Sequence, residues 1–220
     1  MTVDTPKNQS FAGLESASRS YYETALKQFG DSPKGVNWSN TESQEMRFEI
    51  LCDVGNLSGQ RLHDVGCGLA HMRDYLKTNG VACDYVGSDI SEDMIAAAKT
   101  RLGETADLHV ANIRAHQQDW MIGDYVINSG LFTVKGNATD EEWWSYVQTM
   151  IERMFQLCRR GIAFNLMTSY VDYRDDHLFY ADPASVFSFC VKNLSRHVVI
   201  RHDYPLWEFT VYVYKTEALR

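Results

Sequence analysis

Between residues 56 and 168, short apolar runs alternate with longer segments whose apolar positions recur every three or four residues. The runs near 61–65, 84–88, 107–110, 124–129 and 161–167 read as strands, and the periodic segments near 69–78, 91–101 and 140–158 read as helices. Strands separated in turn by helices predict a parallel sheet with helices on both faces. The flanks differ. Residues 1–15 are polar and expected to be loose, 16–29 have helical spacing, and Gly30 to Gly35, with Pro33, break that helix. Thr41 and Ser43 can then open another helix carrying Met46, Phe48, Ile50 and Leu51. Towards the other end, 197–202 and 209–214 are strand-like runs joined through a turn region containing Pro205, which predicts a hairpin.

The 220 residues are one domain by the usual size relation, with 1–55 as a helical lid region and 56–220 as an α/β core. No repeat or low-complexity tract breaks the pattern. No apolar run reaches the roughly 18 residues a membrane helix needs, and the first residues are polar, so a cytoplasmic protein without membrane attachment is expected. Cys52, Cys67, Cys83, Cys158 and Cys190 are scattered, odd in number and form no Cys-x-x-Cys pair, so they read as reduced thiols. The formal charge is −8, with a pI near 5.3. Phosphate neutralisation needs a basic face, and none is legible, so no nucleic-acid partner is expected. The oligomeric state is not legible.

Chemistry concentrates first in Arg61-Leu62-His63-Asp64-Val65-Gly66-Cys67-Gly68, a strand that ends in a carboxylate and a Gly-x-Gly turn. Glycine lets backbone N–H groups come close to a ligand at the start of the following helix. A dinucleotide fingerprint would place a third glycine where His71 stands, and Asp64 would repel a pyrophosphate, so a cationic ligand group suits the site better. A strand-to-helix turn without any ligand is the plain alternative. A second strand ends in Val86-Gly87-Ser88-Asp89-Ile90, with Ser91 as helix cap and Glu92 and Asp93 in the first turn. Asp89 can accept both hydroxyl hydrogens of a ribose.

With Asp64-Val65-Gly66-Cys67-Gly68, Val86-Gly87-Ser88-Asp89-Ile90-Ser91 and Asp124-Tyr125-Val126-Ile127-Asn128-Ser129-Gly130 in this order, the chain resembles the class I S-adenosylmethionine-dependent methyltransferases over roughly residues 41–216. The resemblance implies a Rossmann-like three-layer sandwich. Its mostly parallel seven-stranded sheet would have a C-terminal antiparallel hairpin and extra N-terminal helices. It also implies S-adenosylmethionine as cofactor, with Gly66, Cys67 and Gly68 at its methionine part, Asp64 helping to hold its ammonium group, and Asp89 with Ile90 at its ribose. Asn112-Ile113 stands where the family often has an acidic residue near the adenine.

The loops after the fourth and fifth strands are where an acceptor is expected. Asn128 has no proline after it, unlike the Asn- or Asp-Pro-Pro-Tyr of many methyltransferases acting on bases or glutamine. It reads equally as a cofactor contact or as a strand-end polar residue satisfying backbone groups. The stretch 168–183 carries Tyr170, Tyr173, Arg174 and Tyr180, which suit a polar, hydroxyl-rich acceptor. His177 is a candidate base, with His202 as competitor; a surface histidine paired with Asp175 or Asp176 is the plain alternative for His177. A metal site from Asp172, Asp175, Asp176 and His177 has no recognised ligand spacing, and none is expected. In the lid region, Tyr21 and Tyr22 are candidate acceptor contacts. Arg47 is a candidate partner of the cofactor carboxylate, and Trp38 could close over the methionine end or simply pack against the sheet.

The expected activity is methyl transfer to oxygen, or secondarily nitrogen, of a small polar molecule or saccharide. A non-catalytic S-adenosylmethionine-binding protein and a nicotinamide-dependent oxidoreductase are the alternatives.

Overall fold

The structure, a computed structural model, describes residues 11–32, 35, 40–115 and 117–216. Two helices, α1 (Ala12–Phe29) and α2 (Thr41–Cys52), precede the sheet. The core then runs β1 (Arg61–Val65), α3 (His71–Thr78), β2 (Asp84–Asp89), α4 (Glu92–Leu102), β3 (Leu108–Val110), β4 (Gly123–Asn128), α5 (Asp140–Leu157) and β5 (Cys158–Thr168). After it come β6 (Tyr180–Ala181), α6 (Pro183–Asn193), β7 (Val198–Arg201) and β8 (Glu208–Tyr214).

The sheet order is β3-β2-β1-β4-β5-β8-β7, parallel through β5, with β6 adding an eighth, two-residue strand alongside β5. The expected hairpin forms from β7 and β8, and β8 lies antiparallel to β5 from Gly161 opposite Tyr214 to Met167 opposite Glu208. Central strands of such a sheet are covered on both faces and so read as continuous apolar runs. Val126 and Ile127 are accordingly both buried, one in each of the two cores. One core lies under α5 and α6; the other lies under α2, α3 and α4.

Local signals set the helix ends. Ser91 accepts from the Met94 amide at the start of α4, and Thr139 and Glu142 form a reciprocal capping box on α5. At α2 the cap is Asn40, one residue before Thr41, and its Oδ1 accepts from Ser43 N at 2.8 Å.

Three expectations change. Of the stretch expected to be loose, residues 1–10 lie outside the described residues, while Phe11 is packed: its ring is buried 5.5 Å from that of Tyr146, and the Arg114 guanidinium stands 5.0 Å from its centre. α3 begins at His71 rather than at 69, because Ala70 takes a left-handed conformation, φ 57°. The sequence reading contained no helix at 183–193. Asp182 caps one there by accepting from Ser185 N at 2.9 Å, Pro183 occupies its first turn, and Val186, Phe189 and Cys190 are buried. No described helix is long and apolar enough to cross a membrane.

Candidate functional site

Because β1, β2 and β4 are parallel neighbours, their carboxyl ends bring Asp64, Asp89 and Ser129 to one edge of the sheet. A cleft of about 740 Å³, its open mouth included, lies over that edge. Asp64, Gly66, Cys67 and Gly68 form one wall, Asp89, Ile90 and Ser91 a second, and Ser129, Gly130 and Leu131 a third. Tyr22 with Ser18 and Arg19 from α1, and Gln44 with Phe48 from α2, close it from above. A smaller chamber of about 340 Å³ shares Gly66, Asp89, Ile90 and Leu131 with this cleft and continues to Asn112, Ile113 and Tyr146.

The glycine turn works differently from the sequence expectation. Gly66 and Cys67 donate their amides to Ser88 O at 2.8 and 3.0 Å, and Gly68 donates to Asp89 Oδ2 at 2.9 Å. These N–H groups are used within the protein. The glycines serve by conformation and absence of bulk: Gly66 has φ 72° and Gly68 φ 51°, and a Cβ on Gly66 would stand 3.2 Å from Leu131 Cδ1. Below the turn, the buried His63 is bonded at 2.7 Å to both Ser88 Oγ and Met121 O. Neutral imidazole satisfies both by donating from Nδ1 and accepting at Nε2. Burial lowers its pKa to about 4.

Two carboxylates line the cleft in different environments. Asp89 is fixed by Gly68 N on Oδ2 and Ser91 N on Oδ1, each at 2.9 Å, which leaves further lone pairs on both oxygens. Burial raises its pKa, against the pull of those backbone bonds. Asp64 is 3% exposed and accepts from the Tyr85 hydroxyl at 2.7 Å. Its burial pushes the pKa up to about 7; the Tyr85 bond opposes that rise and the Asp89 charge adds to it.

The lid is tied down by polar contacts along α1. Glu15 pairs with Arg114 at 2.6 Å with both side chains largely covered, and the Ser91 hydroxyl donates to Glu23 at 2.9 Å. The Tyr22 hydroxyl reaches Gly130 O at 3.5 Å. Between α1 and α2, Asp31 Oδ1 lies 2.8 Å from His71 Nε2, while His71 Nδ1 lies 3.2 Å from Gln44 Nε2. His71 thus enters the cleft wall with a carboxylate behind it.

Asp64, Gly66, Cys67, Gly68, Asp89, Ile90 and Tyr22 come together as expected, and Asn112 and Ile113 line the adjoining chamber. Asn128 is fully buried beside them, and neither atom of its side-chain amide has a partner among the described residues; the Ser129 hydroxyl is in the same state. Tyr21 packs edge-on against Tyr22 and does not line the cleft. Trp38 falls outside the described residues.

Arg47 requires a correction, because its guanidinium is bidentate on the buried Glu208 and also donates to Ser43 O at 2.7 Å, away from the cleft wall. The loop after β5 is also displaced from its expected place. Tyr170 and Tyr173 are 66% and 76% exposed, and Arg174 lies over the Tyr180 ring with its guanidinium 5.4 Å from the centre. The Tyr180 hydroxyl accepts from Asp175 N at 3.0 Å, so the loop folds onto itself. His177 is exposed and contributes its carbonyl to Lys135 N and Gly136 N. His202 is exposed near Tyr170 and Phe209. Neither histidine lines the cleft. Among the residues that sequence reasoning missed are His71, which stood out only as the place of an absent glycine, Ser18, Arg19 and Gln44, whose only signal was helical spacing on the lid, and Leu131 and Tyr146, which carry no chemical signal of their own.

A family described as a methyltransferase domain matches residues 63–161. A protein of Mycobacterium tuberculosis described as a methyltransferase is 37% identical over 158 residues, which is 70% of this chain and 92% of that one. Among solved structures, the magnesium protoporphyrin IX methyltransferase of Synechocystis with bound S-adenosylmethionine has a TM-score of 0.63 at 15% identity, covering 96% of this chain and all of that one. An N-methyltransferase of Bradyrhizobium japonicum with S-adenosylhomocysteine also reaches 0.63, at 13% identity and 90% and 98% coverage. The 1,6-didemethyltoxoflavin-N1-methyltransferase of Burkholderia thailandensis has the same score at 14% identity, over 97% and 93%. These structural likenesses concern the fold.

Proposed function

The chain belongs to the class I S-adenosylmethionine-dependent methyltransferases, and on that premise we propose that it methylates an oxygen, or in second place a nitrogen, of a small polar metabolite or saccharide. The observation that carries the cofactor part is the pair Asp64 and Asp89 lining one cleft at the ends of neighbouring parallel strands. The donor set fits the group. Asp89 has lone pairs left on both oxygens for ribose hydroxyls, the buried Asp64 suits a cationic ammonium, and Asn112 and Ile113 line the adjoining chamber, where a base would lie.

When bound, S-adenosylmethionine supplies a methyl carbon on a cationic sulfur. The protein's part is then to hold acceptor and donor in line and to exclude water, which α1 and α2 favour by roofing the cleft. Where the acceptor must lose a proton, His71 is better placed than His177 or His202 because it lines the cleft; with Nε2 held by Asp31 at 2.8 Å, Nδ1 would be the basic nitrogen, once Gln44 releases it. Residues 1–55 act as the lid of a single domain, and the five free cysteines support a reducing, cytoplasmic setting.

Calorimetry with S-adenosylmethionine, S-adenosylhomocysteine and nicotinamide dinucleotides tests the cofactor part. Binding of the dinucleotides alone would overturn it. Consumption of S-adenosylmethionine is then measured against polyols, sugars, phenols and amines; turnover of an amine and no hydroxyl compound would move the acceptor atom to nitrogen.

A further inference from the structure

Arg47 and Glu208 are a buried ion pair outside the set of residues lining the cleft, yet they connect to it. Glu208 is 4% exposed on β8, and its two oxygens are shared between the Arg47 guanidinium and Asn165. Asn165, on β5 and 1% exposed, donates from Nδ2 to Glu208 Oε2 at 2.5 Å and accepts on Oδ1 from the Gly130 amide at 2.8 Å. Gly130 lies in the cleft wall, and its carbonyl faces the Tyr22 hydroxyl on the lid. Four elements and the loop after β4 are therefore joined through one row of hydrogen bonds: α2, β8, β5, that loop, and α1.

The direction of each bond follows from donor chemistry. A carboxylate can only accept, and a guanidinium can only donate. Glu208 therefore forces the amide of Asn165 to turn its nitrogen inward, which leaves its oxygen facing Gly130. An asparagine alone has no such preference, since its two ends are nearly equal in shape. We infer that Arg47, Glu208 and Asn165 are a positioning relay that holds Ser129, Gly130 and Leu131 at the cofactor cleft, so that Arg47 acts on the cofactor through the loop.

The inference rests on reading the cleft as the cofactor site, and its test separates the two. In Glu208→Gln, the new amide must present its nitrogen either to Arg47 or to Asn165. The first choice opposes two donors; the second makes Asn165 accept from Gln and turn a donor onto the Gly130 amide. In Asn165→Asp, two carboxylates meet. The double variant Asn165→Asp with Glu208→Gln satisfies every group at unchanged net charge. Its Gln oxygen accepts from Arg47, its Gln nitrogen donates to the Asp, and the Asp accepts from Gly130.

Calorimetry with S-adenosylhomocysteine should show each single variant binding about tenfold more weakly or worse, and the double variant within about threefold of the parent. In the parent, amide hydrogen exchange should find Gly130 protected despite its place in a loop. Singles that lose thermal stability with unchanged affinity, or a double variant as weak as its parts, would overturn the relay. Should a single variant fail to fold, the double variant and the parent's Gly130 exchange decide. A parent that binds no S-adenosylhomocysteine refutes the cofactor reading, while protection of Gly130 still reports on the relay.

Discussion

Tyr85 places its hydroxyl 2.7 Å from Asp64 Oδ2 at a point where the carboxyl group has almost no access to water. That hydrogen bond favours the charged form, but burial outweighs it, and the pKa rises to about 7. A cationic ligand beside Asp64 would favour ionisation and expel the proton. Affinity for S-adenosylhomocysteine should therefore climb several-fold from roughly pH 6 to roughly pH 8, with a buffer-dependent binding enthalpy that reports proton release. Asp64→Asn should bind weakly with a flat profile; a steep profile in that variant would assign the proton to another group.

His63 makes stability depend on pH through a lowered pKa. Its folded pKa of about 4 lies below the ordinary value of 6.5, so the unfolded chain takes up the proton first as pH falls. Its contribution is complete above 6.5 and disappears as pH drops to about 4, a change of about 3 kcal/mol. Asp64 partly offsets this: its raised pKa stabilises the fold below 3.8, and that contribution is lost as pH rises to about 7. Urea unfolding at several pH values should show a shallower acid decline in His63→Gln than in the parent. Parallel curves would show that His63 does not titrate with unfolding.

Asp89→Asn leaves one acceptor oxygen for two backbone donors, so either Gly68 N or Ser91 N faces the new amide nitrogen, and an acceptor for the ribose is lost as well. Charge-assisted bonds to ribose hydroxyls contribute about 1.5–3 kcal/mol. S-adenosylhomocysteine should bind at least about tenfold more weakly, as read by calorimetry. Equal affinity would place the ribose elsewhere.

His177→Ala and His202→Ala should leave cofactor affinity unchanged, within about twofold, since both side chains are exposed and neither lines the cleft. Once an acceptor is identified, His71→Asn should lower turnover at least about tenfold while the two outer histidine variants stay within about twofold of the parent. Turnover that survives in His71→Asn and falls in His177→Ala would return the base to the outer loop.

The strand ends were legible in sequence because short apolar runs, a carboxylate and glycines follow one another within a few residues. Asp64, Gly66 and Asp89 could be placed from that order alone. The lid was legible as helices but not as contacts: nothing local in Arg47 tells that its partner stands 161 positions later on β8. The outward turn of 170–180 was hidden for a similar reason. Its tyrosines and aspartates suit an acceptor site equally well as mutual partners, and the choice is made by Arg174 lying on Tyr180 and Asp175 bonding its hydroxyl. α6 was missed because its apolar residues Val186, Phe187, Phe189 and Val191 suit a strand as well as a helix, and its cap, Asp182, sits at the end of a polar loop.

Antiparallel β8, the last strand along the chain, sits between β5 and β7 rather than at the rim of the sheet. During synthesis the ribosome delivers β5 and β7 first and the strand that joins them afterwards. Until residues 208–214 emerge, β7 has no neighbour and β5 carries an open flank of unpaired backbone groups. Assembly of the sheet is thus delayed to the end of this segment, a long-range closure of the slow kind. A chain interrupted shortly before Glu208 would lose the binding loop's anchor and two strands together, and would expose an edge prone to pairing with other nascent chains.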